Sequence, residues 1–175
     1  RTPVHEALKQ LAKEHLVEIV PSRESRVSRI DFQQIMDGIF VRSCVEPDLI
    51  NGLRGHLSSE STSQLMANVR QQRQAVADGA LERYYTLDNE FHYMIFKFSN
   101  WLSTYALMGK MNNQFDRFRT LLYRYSDYSE SLEKSLQDHL QIFYAVSIAK
   151  PLPKPSDIFV REHVTRSLNL LPELC

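Results

Sequence analysis

The sequence predicts an all-α protein in which an antiparallel helical bundle follows a short N-terminal helix and hairpin. After residue 30, apolar residues recur at helical spacing through six successive segments, and no strand-like alternation is present. Breaks that contain Gly, Pro, Ser or Asn separate these segments at intervals that suit antiparallel neighbours. The 175 residues are enough for one domain with a core and part of another.

Composition and charge exclude several classes of protein. The 21 Lys and Arg balance the 21 Asp and Glu, which argues against a wholly basic nucleic-acid binder. No apolar run approaches the roughly 20 residues that span a bilayer, so we expect no membrane partner. The polar start Arg1-Thr2-Pro3 does not read as a signal peptide. Two cysteines, Cys44 and Cys175, form no disulfide framework or zinc pair and favour a reducing, cytoplasmic setting.

Residues 1–29 have the pattern of a helix and a basic two-stranded hairpin. Thr2-Pro3 is a good helix start, with Thr as N-cap and Pro at the first helical position. Two short strand-like segments, 16–20 and 26–28, flank a turn, and residues 1–29 carry six Lys or Arg against four Asp or Glu. A helix followed by such a hairpin is the second half of a winged helix-turn-helix, so we predict domains 1–29 and 30–175.

The remaining chain predicts six helices, at 31–55, 58–77, 80–98, 101–125, 130–149 and 156–171. The inward stripe of the first begins with Phe32 and Met36, and Pro47 predicts a kink or a restart. The second helix is more polar, and we expect it on the outside. The fourth has the longest apolar stripe, which begins at Trp101.

The N-terminal segment RTPVHEALKQLAKEHLVEI resembles the recognition helix and first wing strand of GntR-type transcriptional regulators, whose usual form is S-R-T-P-V-R-E-A-L-x-x-L-x-x-E-G-L-V. Two departures, His5 for Arg and Glu24 for Gly at the wing tip, are expected to weaken phosphate or base contacts. The resemblance implies that the DNA-binding residues are Arg1, Thr2, His5, Arg23 and Arg26.

Residues 31–175 resemble the FCD domain, the effector domain of FadR-type regulators, in helix order and in the central D-x-x-x-H of Asp88 and His92. The resemblance implies an antiparallel bundle of six or seven helices in a homodimeric regulator. Its partners would be operator DNA and a small organic acid effector.

Four polar residues occupy the middle of apolar stripes on three helices: Asp88, His92, His139 and His163. Three imidazoles and a carboxylate suit a divalent ion such as zinc, nickel, manganese or iron. The residues alone leave open that each histidine is a core residue bonded to a carbonyl or to one of eight Tyr. Metal-binding FCD domains use this Asp and three His, so the resemblance favours a metal, with zinc expected first.

Arg42 and Glu46 lie four residues apart on or beside the first inward stripe. They either pair with each other, or Arg42 grips an effector carboxylate bidentately next to the metal. Arg117, Arg119 and Tyr123 could border the same pocket, but their helical positions also fit solvated or core roles. FCD-type regulators sense small organic acids and have an Arg at a similar position on the first effector-domain helix, so the resemblance implies that Arg42 binds the effector. We predict that Glu46, Arg119 and Tyr123 contribute to the same effector site.

Three functions compete on this evidence. The first is a DNA-binding regulator that responds to a metal and a carboxylate effector. The second is a hydrolase-like metalloenzyme that activates water at an open metal position. Glu90 and Asp138 neighbour predicted ligands in sequence but point off the stripe, so no general acid or base is evident, and we predict no enzymatic activity. The third is an interaction domain with a purely structural core.

Overall fold

The computed structural model describes residues 2–20, 24–125, 129–166 and 168, with the side chains of 123–125 and 129 not included. The order of elements in these ranges is α1 (Thr2–Lys13), β1 (Val17–Glu18), β2 (Arg26–Val27), α2 (Phe32–Leu53), α3 (Ser59–Ala77), α4 (Leu81–Phe98), α5 (Leu102–Leu107), α6 (Gly109–Tyr125), α7 (Ser129–Ile148) and α8 (Ser156–Thr165). The predicted all-α class is confirmed, and seven helices follow the hairpin.

The N-terminal segment has the predicted helix and hairpin. Helix α1 ends as His15 takes a left-handed conformation, with φ of 59°, at the position where the GntR pattern has Gly. β1 and β2 are antiparallel, with Val17 opposite Val27 and Glu18 opposite Arg26. Neither α1 nor this short hairpin contains a fully buried residue in the described chain, so the segment has no core of its own.

Helix α2 is a central element of the bundle, packing against α4, α6, α7 and α8. The Asp31 side chain caps its start by accepting a hydrogen bond from the Gln34 amide at 3.2 Å. The helix continues through Pro47 without the restart considered from the sequence. Phe32 and Met36 were expected inside, but they are 40% and 42% exposed. Phe32 lies in the first turn and packs edge-on against Phe118.

Helix α3 has one buried face, and most of its residues are not buried, which agrees with the outer position that its polar composition predicted. It packs against α4 and α7 and buries Leu65, Val69 and Ala75. The same face buries Asn68 and Gln72. Buried amides require hydrogen-bond partners, and those of Asn68 and Gln72 lead directly to the histidines described below.

The long helix predicted from Trp101 to Tyr125 is two helices. The break falls at Met108, between α5 and α6, where Gly109 lowers helix propensity. Trp101 precedes α5 and is 56% exposed, so its predicted inward position is wrong. The remaining stripe is buried as predicted at Met108, Phe115, Phe118 and Leu122. Within the described chain, no helix is long and apolar enough to cross a membrane.

Candidate metal and effector site

Three histidines converge in the core: His92 from α4, His139 from α7 and His163 from α8, together called the histidine centre. Their Nε2 atoms form a nearly equilateral triangle, with edges of 3.3, 3.2 and 3.3 Å. All three residues are at most 5% exposed. The centre therefore brings together three of the four residues that the sequence predicted as metal ligands.

The Nδ1 atom of each imidazole contacts a side-chain oxygen. Nδ1 of His92 is 3.0 Å from Glu46 Oε2, Nδ1 of His139 is 2.7 Å from Gln72 Oε1, and Nδ1 of His163 is 3.2 Å from Asp138 Oδ2. Carboxylate and amide oxygens only accept hydrogen bonds, so the Nδ1 atom that faces one must donate. The proton of each neutral ring is therefore on Nδ1. All three Nε2 atoms then present lone pairs to one another.

The orientation of Gln72 is itself fixed by a chain of hydrogen bonds. Its Nε2 donates to Asn68 Oδ1 at 2.6 Å, and Asn68 Nδ2 donates to the carbonyl oxygen of Leu87 at 3.0 Å. The amide of Gln72 therefore has its oxygen towards His139. This network anchors the His139 ring on α7 to the backbone of α4 through α3.

Electrostatics keeps two of these rings neutral. Burial lowers the pKa of His92, and Arg42 lowers it further, although Glu46 acts in the opposite direction. Burial also lowers the pKa of His139 well below its ordinary value, assisted by the neighbouring His163. Neutral imidazoles with Nε2 lone pairs are the form that binds a metal.

Asp88 lies beside the centre without joining its compact group. Its Oδ1 is 3.6 Å from His139 Nε2, while its Oδ2 accepts a hydrogen bond from Arg119 Nη1 at 2.5 Å. Burial would raise the pKa of Asp88, but the Arg119 guanidinium holds it well below its usual range. An ionised carboxylate oxygen thus faces a nitrogen lone pair, which is a repulsive arrangement unless a positive charge lies between them.

This geometry fits a divalent cation. Two nitrogen ligands about 2.0–2.1 Å from one ion, at an angle of roughly 105°, would lie about 3.3 Å apart. The triangle edges of 3.2–3.3 Å match that separation. The Nδ1 contacts to carboxylate and amide oxygens are those that usually orient histidine ligands.

Arg42 and Glu46 form the pair that the sequence allowed, at 2.7 Å between Nε and Oε1. Glu46 is thereby shared between Arg42 and His92, and these two hold its pKa well below its usual range although burial raises it. The Arg42 Nη2 atom is buried with no hydrogen-bond partner among the described residues. An unpaired guanidinium nitrogen is costly in a core and is available to an anionic ligand.

Arg119 is held from several sides. In addition to Asp88, it donates to Asn89 Oδ1 at 2.8 Å and to Asp116 Oδ1 at 2.7 Å. Its guanidinium lies over the rings of Tyr85 and Phe115, 5.2 and 4.7 Å from their centroids. Arg119 is therefore held in place beside the centre, while its predicted contact with an effector stays a prediction.

Two small cavities adjoin the centre, and Arg42 and His92 line both of them. One, also lined by Asp88 and Arg119, has a volume of about 20 Å³, and the other, next to Tyr105, about 10 Å³. Each is of the order of one water molecule. An effector larger than that requires side chains to move. A groove of about 770 Å³ on α4 and α6 includes none of the three histidines.

The structure describes three of the five predicted DNA-binding residues: Thr2, His5 and Arg26. Thr2 begins α1, and both Thr2 and His5 are exposed. Arg26 on β2 pairs across the hairpin with Glu18, at 2.7 Å between Nε and Oε2. Arg1, Arg23 and the Tyr123 side chain lie outside the described residues.

Sequence reasoning missed several residues that hold the histidines in place. Asp138 was expected to point off the stripe, but it contacts His163 and also accepts a hydrogen bond from Arg166. Asn68 and Gln72 were not considered. Their spacing with Leu65 and Ala75 forms a helical stripe, which was the available signal.

Comparisons with known proteins agree with this architecture. Residues 37–148 match the FCD domain family. The chain is 30% identical over 146 residues to the HTH-type transcriptional repressor RspR of Escherichia coli K12, which covers 83% of this chain and 63% of the relative. It is 34% identical over 121 residues to an HTH-type transcriptional regulator in an unstable DNA locus of Streptomyces ambofaciens. That match covers 69% of this chain and 50% of the relative. The chain thus spans half to two-thirds of the length of these relatives.

Solved structures show the same fold at low sequence identity. E. coli McbR/YncC superimposes with a TM-score of 0.81 and 17% identity, covering 99% of this chain and 85% of the other. Streptococcus agalactiae GntR has a TM-score of 0.58 and 18% identity, covering 94% and 79%. The solved structures show the shared fold, and the family match shows that the chain belongs to the FCD domain family.

Proposed function

We propose that this chain acts in a DNA-binding transcriptional regulator whose helical domain binds a divalent metal and a small carboxylate effector. The observation that carries the proposal is the convergence of three Nε2 atoms at 3.2–3.3 Å, each with an oriented Nδ1. A cation relieves the repulsion among these lone pairs and the Asp88 carboxylate. The relatives that are named transcriptional regulators support the same function.

In this proposal His92, His139, His163 and Asp88 hold the metal, with zinc expected first. A borderline ion accepts three imidazoles and a carboxylate, and nickel, manganese and iron are also compatible. When bound, the ion supplies positive charge and an open position for an oxygen ligand. Asp88 can reach it with Oδ1 while Oδ2 keeps the contact with Arg119, because its two oxygens face opposite partners.

The proposed effector is a small organic acid that binds beside the metal. Arg42 lines both small cavities, and its Nη2 atom lacks a hydrogen-bond partner among the described residues. The side chains around the centre have a net charge of −1. They comprise four carboxylates, Glu46, Asp88, Asp116 and Asp138, and three guanidiniums, Arg42, Arg119 and Arg166. A divalent ion changes this net charge to +1, which suits a monocarboxylate.

Glu46 supports that pocket by fixing Arg42 and His92, while a contact of Tyr123 with the effector stays a prediction. The DNA-binding part is residues 1–29, with Arg1, Thr2, His5, Arg23 and Arg26 as the predicted contacts. Helix-turn-helix dimers read two half-sites about 34–36 Å apart, which requires two recognition helices. The proposal therefore includes a homodimer that binds operator DNA in the cytoplasm.

The test is metal analysis of the purified protein together with two variants. Wild type and the control His56→Ala, a change at an exposed histidine, should carry close to one equivalent of metal per chain. His139→Ala should carry almost none. A wild type that carries no metal and takes up none from added Zn²⁺ would contradict the metal site and show the centre to be ordinary core. Chelator-sensitive ester hydrolysis that His139→Ala lacks would instead favour a metalloenzyme.

A further inference from the structure

Gln114, on α6, joins the N-terminal segment to the bundle. Its side chain is fully buried. Gln114 Nε2 donates to the carbonyl oxygen of His15 at 3.0 Å, and its Oε1 accepts from the amide of Asp31 at 3.2 Å. One side chain therefore ties the end of α1 to the residue that caps α2.

Arg117, one turn further along α6, secures the other end of the hairpin. Its Nη2 donates to the carbonyl oxygen of Ser28 at 2.5 Å, and its Nη1 lies 3.3 Å from both Ser28 Oγ and Gln114 Oε1. Ser28 Oγ in turn donates to the carbonyl oxygen of His15. Gln114 and Arg117 thus close a ring of hydrogen bonds around both ends of the hairpin.

Little else fixes this segment within the described chain. Helix α1 buries no residue, and each hairpin strand has only two residues, with β2 fully exposed. An isolated two-stranded hairpin is at best marginally stable in water. The position of α1 relative to the bundle therefore depends heavily on these polar contacts.

The same helix reaches the histidine centre. Arg119 is two residues after Arg117 and binds Asp88 on α4. Phe115, next to Gln114, lines the cavity that Asp88 and His92 share. Five residues of helix rise only about 7.5 Å, so α6 contacts the hairpin and the centre within a short rigid element.

We propose that Gln114 and Arg117 are positioning residues that set the orientation of α1 on the bundle, and that α6 links this orientation to the histidine centre through Arg119 and Asp88. The hydrogen bonds of Gln114 and Arg117 to His15, Ser28 and Asp31 are called the clamp. The clamp is independent of any ligand, whereas its regulatory use rests on the proposed function. In that use, the clamp connects the effector domain to the recognition helix.

The first arm of the test is hydrogen exchange of the metal-free chain, followed by mass spectrometry of peptides that cover residues 14–31. Arg117→Ala should accelerate exchange there by about tenfold, since bonds to a charged donor are lost and local opening becomes easier. Gln114→Leu should act on the same peptides, and Arg117→Lys should recover part of the protection. Arg73→Ala, at an exposed site on α3, is the control and should leave them unchanged.

The second arm repeats the measurement after chelation and after loading with Zn²⁺ alone. In wild type, Zn²⁺ should slow exchange of residues 14–31, and Arg117→Ala should bind the same amount of Zn²⁺ without that slowing. Equal exchange in wild type and both variants would overturn the clamp. Zn²⁺ binding that leaves the wild-type hairpin unchanged would overturn the link through α6. Failure to bind Zn²⁺ would contradict the proposed function, while the first arm would still test the clamp.

Discussion

The histidine centre and the N-terminal segment are held in opposite ways. At the centre, buried histidines from three helices share a compact set of oriented hydrogen bonds. The N-terminal segment is exposed and is attached through a few polar contacts at its ends. The centre is rigid and the N-terminal segment is weakly held, so under the proposed function a preorganised site would be connected to a segment that moves at low free-energy cost.

The largest effect should come from Arg119→Leu, which removes the partner of a buried carboxylate. Arg119 and Asp88 are both nearly inaccessible to solvent. Breaking such a pair on one side costs about 3–5 kcal/mol of unfolding free energy. Urea unfolding of the metal-free protein measures it. Adding Asp88→Asn should recover part of the loss, and a single variant as stable as wild type would show that the centre tolerates an unpaired Asp88.

Gln72→Leu should weaken Zn²⁺ binding by about tenfold, because loss of an orienting contact typically costs 10–100-fold in metal affinity. Competition with a chromophoric chelator measures the affinity, and ¹⁵N NMR reports whether the proton of His139 stays on Nδ1. Gln71→Leu is the matched control, one residue away on the exposed side. Equal affinities of the two variants would make Gln72 a mere packing residue.

Acid should destabilise the metal-free protein. The folded-state pKa values of His92 and His139 lie below the ordinary value of 6.5. Below that pH the unfolded chain binds protons that the folded chain does not, so stability is fully present above about pH 6.5 and falls as pH decreases. The lowered pKa values of Glu46 and Asp88 extend the loss below about pH 4. Urea midpoints between pH 8 and 5 measure this, and a midpoint that rises with acid would contradict it.

The smallest effect on stability should come from Arg26→Ala in the hairpin. Arg26 pairs with Glu18, but the two side chains are 71% and 44% exposed. Exposed pairs contribute about 0.2–1 kcal/mol, so thermal unfolding should barely change. If Arg26 contacts DNA, the same variant should lower the affinity of the full-length regulator for its operator. A large loss of stability would mean that the N-terminal segment is not the weakly held region.

The sequence predicted the helix order and the inward direction of the three histidines because both depend on local periodicity. The D-x-x-x-H spacing places Asp88 and His92 on one helix face whatever surrounds them. The contacts of Asn68 and Gln72 could not be predicted in the same way, because a polar helix face becomes an interior face only when α4 and α7 pack on it. The direction of Asp138 likewise depends on where α8 lies, which no local pattern specifies.

Gln114 and Arg117 illustrate the same limit. Gln114 was not considered, and Arg117 was a candidate for the pocket border, whereas it contacts Ser28. Their partners, His15 and Ser28, are about 90–100 positions away in the chain. The break at Met108 was missed because a continuous apolar stripe outweighed one glycine. Tertiary packing, rather than propensity, decides these features.

The most direct test of the central claim is X-ray absorption spectroscopy at the zinc edge of the zinc-loaded protein. The account predicts three imidazole nitrogens with at least one oxygen ligand, at about 2.0–2.2 Å. His139→Ala should lower the imidazole count or lose the ion. A wild-type spectrum with one imidazole or none, or with sulfur ligands, would place the metal elsewhere and contradict the account.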